Sequence, residues 1–247
     1  LFYTVFLNTI SLEITPFNLS VCVVMAIGIG VGVADLVRKS EGVASAGVVR
    51  GVKVGCGVVP GMFLVLNFGV SDQSRNYTAY EHALNIFRTT ERGPLLFING
   101  DNHLFPLIYT RLVERMREDA VLYDRFNLIF KMPHAGKGVP PRTMTWEEQR
   151  NALEKAIITR SGGRPVYYAV FGPYAVDLPD LYRLIQKGIL SRVVKEGENV
   201  EMGDLHRVWA TYAMESVYAP FEKDFMNREI CAYYFFDRGK ALIHSGQ

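Results

Sequence analysis

The chain has 247 residues, enough for a membrane hairpin and one domain of ordinary size. Its formal net charge of +2 is too small to favour binding to nucleic acid, and its three cysteines do not form the framework of a disulfide-rich fold. The mean hydropathy of +0.09 is high for a soluble protein, and the excess lies in the N-terminal part of the chain.

Two stretches of this part contain no charged residue, Ile14 to Ala34 and Val54 to Ser71. An apolar run of about 20 residues is long enough to cross a bilayer as a helix. Leu1 to Leu12 is also apolar and lacks the basic start of a signal peptide, so we expect it to be the end of an earlier span. The predicted membrane part is 1–71, with helices at about 1–12 (partial), 14–37 and 48–71. Two alternatives are a processed N-terminus at Leu1 and core helices of a soluble protein for both runs.

The loop between the two complete spans, 38–53, contains four basic residues: Arg38, Lys39, Arg50 and Lys53. Positive residues in short loops stay on the cytoplasmic side of a membrane. We therefore expect the loop in the cytoplasm and residues 72–247 on the extracytoplasmic side, in a periplasm, in a lumen or at the cell surface. Glycines four apart, such as Gly51 and Gly55, also favour close packing between membrane helices.

The polar part has the alternating pattern of an α/β domain, which we place at 72–200. The predicted elements in chain order are a helix after Ser74, a strand at Leu95–Ile98, a helix at Leu104–Met116, a strand at Ala120–Phe126, a helix opened by the Thr145 and Glu148 capping box, a strand at Val166–Phe171, a helix at Asp177–Gln186 and a strand at Leu190–Val194. Strand–helix–strand order predicts a small, mostly parallel sheet.

Residues 201–247 have a helical pattern, with a final helix that begins near Phe225. Its aromatic residues and Gly239 are similar to the first helix and turn of a tetratricopeptide repeat. A terminal amphipathic helix is the alternative interpretation.

The polar cluster of Asn99, Asp101, Asn102 and His103 follows the strand at Leu95–Ile98 and precedes a helix. In open α/β sheets, ligands bind outside the carboxyl ends of the strands. Asp101 can act there as a general base or a ligand, and the three neutral side chains can form hydrogen bonds. The alternative is that Asp and Asn at this turn only cap the helix.

Other kinds of site have weaker support in the sequence. Asp101 and His103 with His82 and His134 form a conceivable metal cluster, but no HExxH or CxxC spacing supports it. The basic loop at His134–Gly138 lacks the phosphate-binding Walker pattern, and there is no GxSxG motif. We therefore predict neither a metal nor a cofactor.

Several segments resemble the transmembrane-protein-260-like family of polytopic membrane proteins, which is related to protein O-mannosyltransferases. The matching segments are Ser74–Tyr77, Leu96–Asn102, Phe105–Leu107 with Tyr109, Arg164–Val170 and Gly188–Val194. His103, Leu104 and Ile108 depart from the family's pattern, so the resemblance assigns no catalytic or metal-binding role to the turn.

The resemblance implies the C-terminal part of a membrane glycosyltransferase that uses a lipid-linked sugar donor. In such enzymes the catalytic carboxylate lies in an early extracytoplasmic loop, so this chain alone is expected to be inactive and to help position the donor or an acceptor protein. The candidate substrate-binding residues are Asn99, Asp101, Asn102, His103, Arg75 and Tyr77. The expected partners are the lipid bilayer, a lipid-phosphate-linked sugar and an acceptor protein. A membrane-anchored interaction module without catalysis and a soluble α/β enzyme are the competing hypotheses.

Overall fold

The structure is a computed structural model that divides into two compact units. The helical unit comprises 1–75 and 221–225, and the α/β unit comprises 76–220 and 226–247. The residues described are 19–43, 45–132, 144–170, 176–200, 207–220 and 223–244. The expected partial span at Leu1–Leu12 and the loop at His134–Gly138 lie outside the described residues.

The helical unit contains α1 (Leu19–Val43) and α2 (Ala46–Ser71), and α2 continues through Pro60. Among the described residues, one helix is long and apolar enough to cross a membrane: α2, over Ala46–Gly69, with a mean hydropathy of 1.6. None of this window is buried, which supports membrane association and argues against a core helix of a soluble protein. The other predicted complete span begins at Ile14, before the first described residue.

The predicted packing at glycines is not present in the described part of the helical unit. A Cβ atom added to Gly51 or Gly55 would meet no atom within 4 Å. The four-residue glycine spacing therefore does not mark a close helix contact in this structure.

The α/β unit contains these elements in chain order: α3 (Thr78–Thr89), β1 (Leu95–Asn99), α4 (Asp101–Ile108) with a π-helical turn (Tyr109–Val113), β2 (Val121–Asp124), α5 (Trp146–Thr159), β3 (Val166–Val170), β4 (Tyr182–Lys187), β5 (Leu190–Lys195), a 3₁₀ turn (Val208–Thr211), α6 (Glu215–Tyr218) and α7 (Phe225–His244). The predicted α/β class is confirmed. The five strands have the order β2-β1-β3-β5-β4. Because β1 pairs parallel with β2 and β3 while β5 pairs antiparallel with β3 and β4, the sheet is mixed rather than mostly parallel.

The prediction of a helix at Asp177–Gln186 is wrong, because Tyr182–Lys187 is strand β4. β4 forms a hairpin with β5 through the pair Lys187 and Leu190, which leaves a two-residue turn that begins at Gly188. Gly188 has φ of +57°, and a Cβ atom there would lie 1.8 Å from the Tyr212 hydroxyl oxygen. Only glycine fits this turn, and the hairpin pairing outweighs the local helical pattern.

The sheet is covered on both faces, so strands β1 and β3 are buried almost throughout. On one face, Leu96 and Ile98 of β1 belong to a core shared with α3, α4 and α7. On the other face, Leu95 and Phe97 belong to a core shared with Ile158 of α5. α5 begins at the predicted capping box, in which the Thr145 side chain and the Glu148 backbone and side chain bond reciprocally.

A buried ion pair joins the loop after β2 to α5. Arg125 and Glu154 are both fully buried, and Arg125 Nε lies 2.7 Å from Glu154 Oε1. The Tyr168 hydroxyl donates a hydrogen bond to the same carboxylate over 3.0 Å. This arrangement compensates the large desolvation cost of both charges, and burial with the neighbouring Glu154 raises the pKa of Tyr168.

Candidate functional site

The turn between β1 and α4 is built around Gly100, whose φ of +92° favours glycine. The Gly100 carbonyl accepts hydrogen bonds from the backbone N–H of His103 over 3.2 Å and of Leu104 over 3.0 Å. No described side chain caps the helix. The alternative interpretation of Asp101 and Asn102 as capping residues is therefore wrong.

A cleft of about 710 Å³ opens beside the first turn of α4. It brings together three of the predicted site residues, Tyr77, Asp101 and Asn102. The other polar and aromatic residues of its lining include Tyr80, Phe105, Tyr109, Glu114 and Asn227. We call it the aromatic cleft.

Asn102 is the most deeply buried of the predicted residues in the aromatic cleft, with 6% of its surface exposed. Its Nδ2 donates a hydrogen bond to Glu229 of α7. Its Oδ1 accepts no hydrogen bond from any described residue. A buried acceptor without a partner costs about 1–3 kcal/mol, so a turn of the Asn102 side chain towards a donor group in the cleft would be favoured.

Aromatic rings form the open part of the aromatic cleft. About half of the surface of Tyr77, Phe105 and Tyr109 is exposed (57%, 55% and 49%). The Tyr80 ring packs edge-on against Tyr109 at 6.4 Å between centroids. The Tyr80 hydroxyl donates to Glu114 Oε2 over 2.9 Å, and this bond raises the pKa of Tyr80. Exposed ring faces next to fixed hydrogen-bonding groups are suited to a ligand with an apolar face and hydroxyl groups at its edge.

The charge of the aromatic cleft limits the kind of ligand. Its described lining contains two carboxylates, Asp101 and Glu114, and neither Lys nor Arg. Carboxylates accept hydrogen bonds from hydroxyl groups but repel phosphate and carboxylate groups. The positive end of a helix as short as α4 offsets only part of this repulsion. A neutral ligand rich in hydroxyl groups fits the cleft best.

The other predicted residues lie outside the aromatic cleft. Asn99 is 1% exposed and follows Leu95 and Phe97 on the α5 face of β1, and its side-chain amide has no partner among the described residues. His103 is also 1% exposed and points into the core beside His82. Arg75 belongs to the helical unit.

His82 and His103 form a buried chain of hydrogen bonds instead of a metal site. His82 Nε2 lies 2.8 Å from His103 Nδ1, and His82 Nδ1 lies 3.2 Å from the Tyr234 hydroxyl. Burial lowers the pKa of His82 to about 3, and burial and the neighbouring His82 lower the pKa of His103. Both rings are therefore neutral at pH 7. These hydrogen bonds join α3, α4 and α7, so they fix α4, which contains Asp101 and Asn102, against the other two helices. His134, the remaining residue of the conceivable metal cluster, lies outside the described residues.

Three residues of the site or its support were not predicted from the sequence: Tyr80, Glu114 and Glu229. Tyr80 has the spacing of an apolar helix face, so the pattern indicated a core residue and not a hydrogen-bonding residue of a site. Glu114 follows the helix, and Glu229 lies 127 residues after Asn102. Among the cleft residues that were not predicted, Phe105 and Tyr109 could have been found from the sequence, because both occur in the segments that resemble the family.

Comparisons of the chain with protein-family models, with curated proteins and with solved structures found no match. The resemblance to the transmembrane-protein-260-like family therefore stays a prediction.

Proposed function

We propose that the chain is part of a membrane glycosyltransferase of the protein O-mannosyltransferase type, and that its α/β unit holds the sugar during transfer. In this proposal the α/β unit is extracytoplasmic, and the catalytic carboxylate is supplied by another part of the enzyme. The observation that carries the proposal is that Tyr77, Asp101 and Asn102 line one cleft with half-exposed aromatic rings.

The chemistry of the aromatic cleft favours the sugar ring over the phosphate of a lipid-linked donor. A pyranose has an apolar face of C–H groups that stacks on an aromatic ring and hydroxyl groups that donate hydrogen bonds. The exposed carboxylate of Asp101 is an acceptor for such hydroxyl groups. The two carboxylates in the lining oppose a phosphate there, so the phosphate is expected to bind elsewhere.

The substitution Asp101→Asn in the full-length protein tests this function. It keeps the size of the side chain and removes the charge that strengthens a hydrogen bond to a hydroxyl group. Such a bond contributes about 1.5–3 kcal/mol. We therefore expect hexose transfer from a lipid-linked donor to protein in isolated membranes to fall roughly 10- to 100-fold in kcat/KM.

Asp180→Asn is the matched control, because Asp180 is exposed and lies outside the cleft. Both variants are expected to reach the normal level in membranes, and the control is expected to keep full transfer activity. If Asp101→Asn retains full activity at a normal membrane level, the proposed role of the cleft is wrong.

A membrane-anchored interaction module is the second candidate, and α7 favours it. Ile230 and Tyr234 on one side of α7 are buried in the core, whereas Phe235 (56%) and Phe236 (58%) are exposed. A helix that is apolar on both sides is usually covered on both sides, as in a helical repeat. Normal transfer activity of Asp101→Asn, together with loss of a protein partner in Phe235→Ser/Phe236→Ser, would favour this candidate.

A further inference from the structure

A second cleft, of about 780 Å³, lies at the amino end of β3, the opposite end of the parallel strands from the aromatic cleft. It is bounded by the end of α5, the turn at Ser161–Pro165 and the outer ends of β4 and β5. We call it the basic cleft. Nothing in the proposed sugar-binding role uses it.

Positive charge predominates in the described lining of the basic cleft. The lining contains four basic side chains, Arg92, Arg164, Arg192 and Lys195, against two carboxylates, Glu91 and Glu198. Lys187 lies next to the lining, with its Nζ 2.5 Å from Glu91 Oε1, and it brings a fifth positive charge close to the cleft. Glu91 is therefore shared between Lys187 and Arg192, and it cannot neutralise both.

Three of the basic side chains have charges that no carboxylate in this cleft balances by direct contact. Arg164 donates to the backbone carbonyl oxygens of Gly93 over 2.7 Å and Asp119 over 3.2 Å, and these acceptors carry no net charge. Arg92 and Lys195 form no side-chain ion pair with a described residue and are exposed. Exposed cations alone are common on protein surfaces, so a further observation is needed to indicate a ligand.

Arg192 supplies that observation. Its guanidinium contacts Glu91 over 3.2 Å and Glu198 over 3.4 Å, and both contacts are made by its terminal nitrogens. Its Nε is buried and has no partner among the described residues. A buried N–H donor without an acceptor is costly, and this cost would be relieved if Arg192 turned its Nε towards an anionic oxygen in the cleft.

We propose that the basic cleft binds a phosphate group. Arginine side chains match the oxygen atoms of phosphate in geometry and charge. The hydroxyl groups of Ser161 and Tyr182 line the same cleft and supply neutral donors. The carbonyl end of α5 at Thr159 opposes an anion by a fraction of a kcal/mol. The surplus of positive charge outweighs that opposition.

Titration of the detergent-solubilised full chain with inorganic pyrophosphate tests the proposal, with sodium chloride at equal ionic strength as the reference. At about ten times its Kd, pyrophosphate is expected to raise Tm by roughly 3–5 °C beyond the chloride reference. Arg92→Gln/Lys195→Gln is the test variant, because both side chains are exposed and form no ion pair within the described part of the chain. We expect it to weaken binding at least 10-fold. Arg183→Gln, at an exposed residue of β4 outside the cleft, is the control and is expected to bind normally.

The source of the phosphate can be separated in nanodiscs. If the group belongs to a lipid, phosphatidylglycerol in the disc competes with pyrophosphate and raises its apparent Kd relative to phosphatidylcholine alone. If the group belongs to a soluble compound, the two discs give the same Kd. Failure of pyrophosphate to bind in either disc beyond the chloride reference overturns the proposal, as does equal weakening by Arg183→Gln. Because these readouts measure no transfer, their failure leaves the sugar-binding proposal intact.

Discussion

The buried chain of His82, His103 and Tyr234 predicts that acid unfolds the α/β unit through its histidines. At the 2.8 Å junction between the two rings, one nitrogen must donate and the other must accept. A second proton at this junction would place two N–H groups against each other and a positive charge in the core. The folded state therefore holds both rings neutral, consistent with the pKa of about 3 for His82.

The size of the effect follows from the difference between the unfolded and folded pKa values. An unfolded histidine has a pKa of about 6.5, so it gains a proton as the pH falls below that value, while the folded His82 does not until about pH 3. The buried neutral His82 therefore contributes fully to the stability of the folded state above pH 6.5, and this contribution declines as the pH falls from 6.5 towards 3. At pH 5, His82 therefore lowers the free energy of unfolding by about 2 kcal/mol relative to neutral pH, and the lowered pKa of His103 acts in the same direction.

Urea denaturation of the full chain in detergent, followed by tryptophan fluorescence, measures this loss. Trp209 is a suitable reporter, because its ring lies 6.4 Å from that of Tyr234. The free energy of unfolding is compared at pH 7.5 and pH 5 in the wild type and in His82→Gln/His103→Gln, and the variant is expected to lack the loss at pH 5, of which His82 accounts for about 2 kcal/mol. Nitrogen NMR of the wild-type imidazoles gives the same answer if the variant does not fold. Titration of both folded rings near pH 6.5 would show that the fold does not hold the two imidazoles neutral.

Three further predictions concern stability and are checked by urea denaturation. Glu154→Gln removes the carboxylate that contacts the buried Arg125 and is expected to cost about 3–5 kcal/mol; a loss below 1 kcal/mol would contradict the structural role of the pair. Burial raises the pKa of Asp237 to about 6, so its charged form destabilises the fold above pH 6 and this penalty is relieved as the pH falls to 3.8. Asp237→Asn is therefore expected to stabilise the protein by up to about 3 kcal/mol at pH 7.5 and by little at pH 4, whereas a constant effect at both pH values would contradict the assignment. Gly188→Ala is expected to cost about 3 kcal/mol or more through a clash, whereas Gly197→Ala, with a similar φ of +81° and open space, costs about 1–2 kcal/mol through backbone strain alone; equal losses would show that the clash is relieved.

Elements with local signals were predictable from the sequence. The capping box of Thr145 and Glu148 lies within one helical turn, so it defines the start of α5 without help from the rest of the fold. β4 was not predictable in this way, because its residues have a helical pattern and become a strand only by pairing with β5. The mixed character of the sheet depends on the same hairpin, which explains why a mostly parallel sheet was expected.

In the candidate site too, residues with a local sequence signal were predictable, and residues placed by distant contacts were not. Asp101 and Asn102 were identifiable because polar residues between a buried strand and a helix mark the carboxyl end of a sheet. His103 and Asn99 have the same local pattern, but the turn of the helix and the alternation of the strand direct them into the interior. Glu114 joins the cleft through its bond with Tyr80, a residue 34 positions away, which no local pattern could show.

Binding of methyl α-mannopyranoside to the detergent-solubilised full chain, measured by saturation-transfer NMR, tests the sugar-binding role of the aromatic cleft most directly. We expect saturable binding in the wild type and in Asp180→Asn, and binding at least about 10-fold weaker in Asp101→Asn and in Tyr109→Ala. Absence of binding to the wild type, or equal binding by all four proteins, would contradict it.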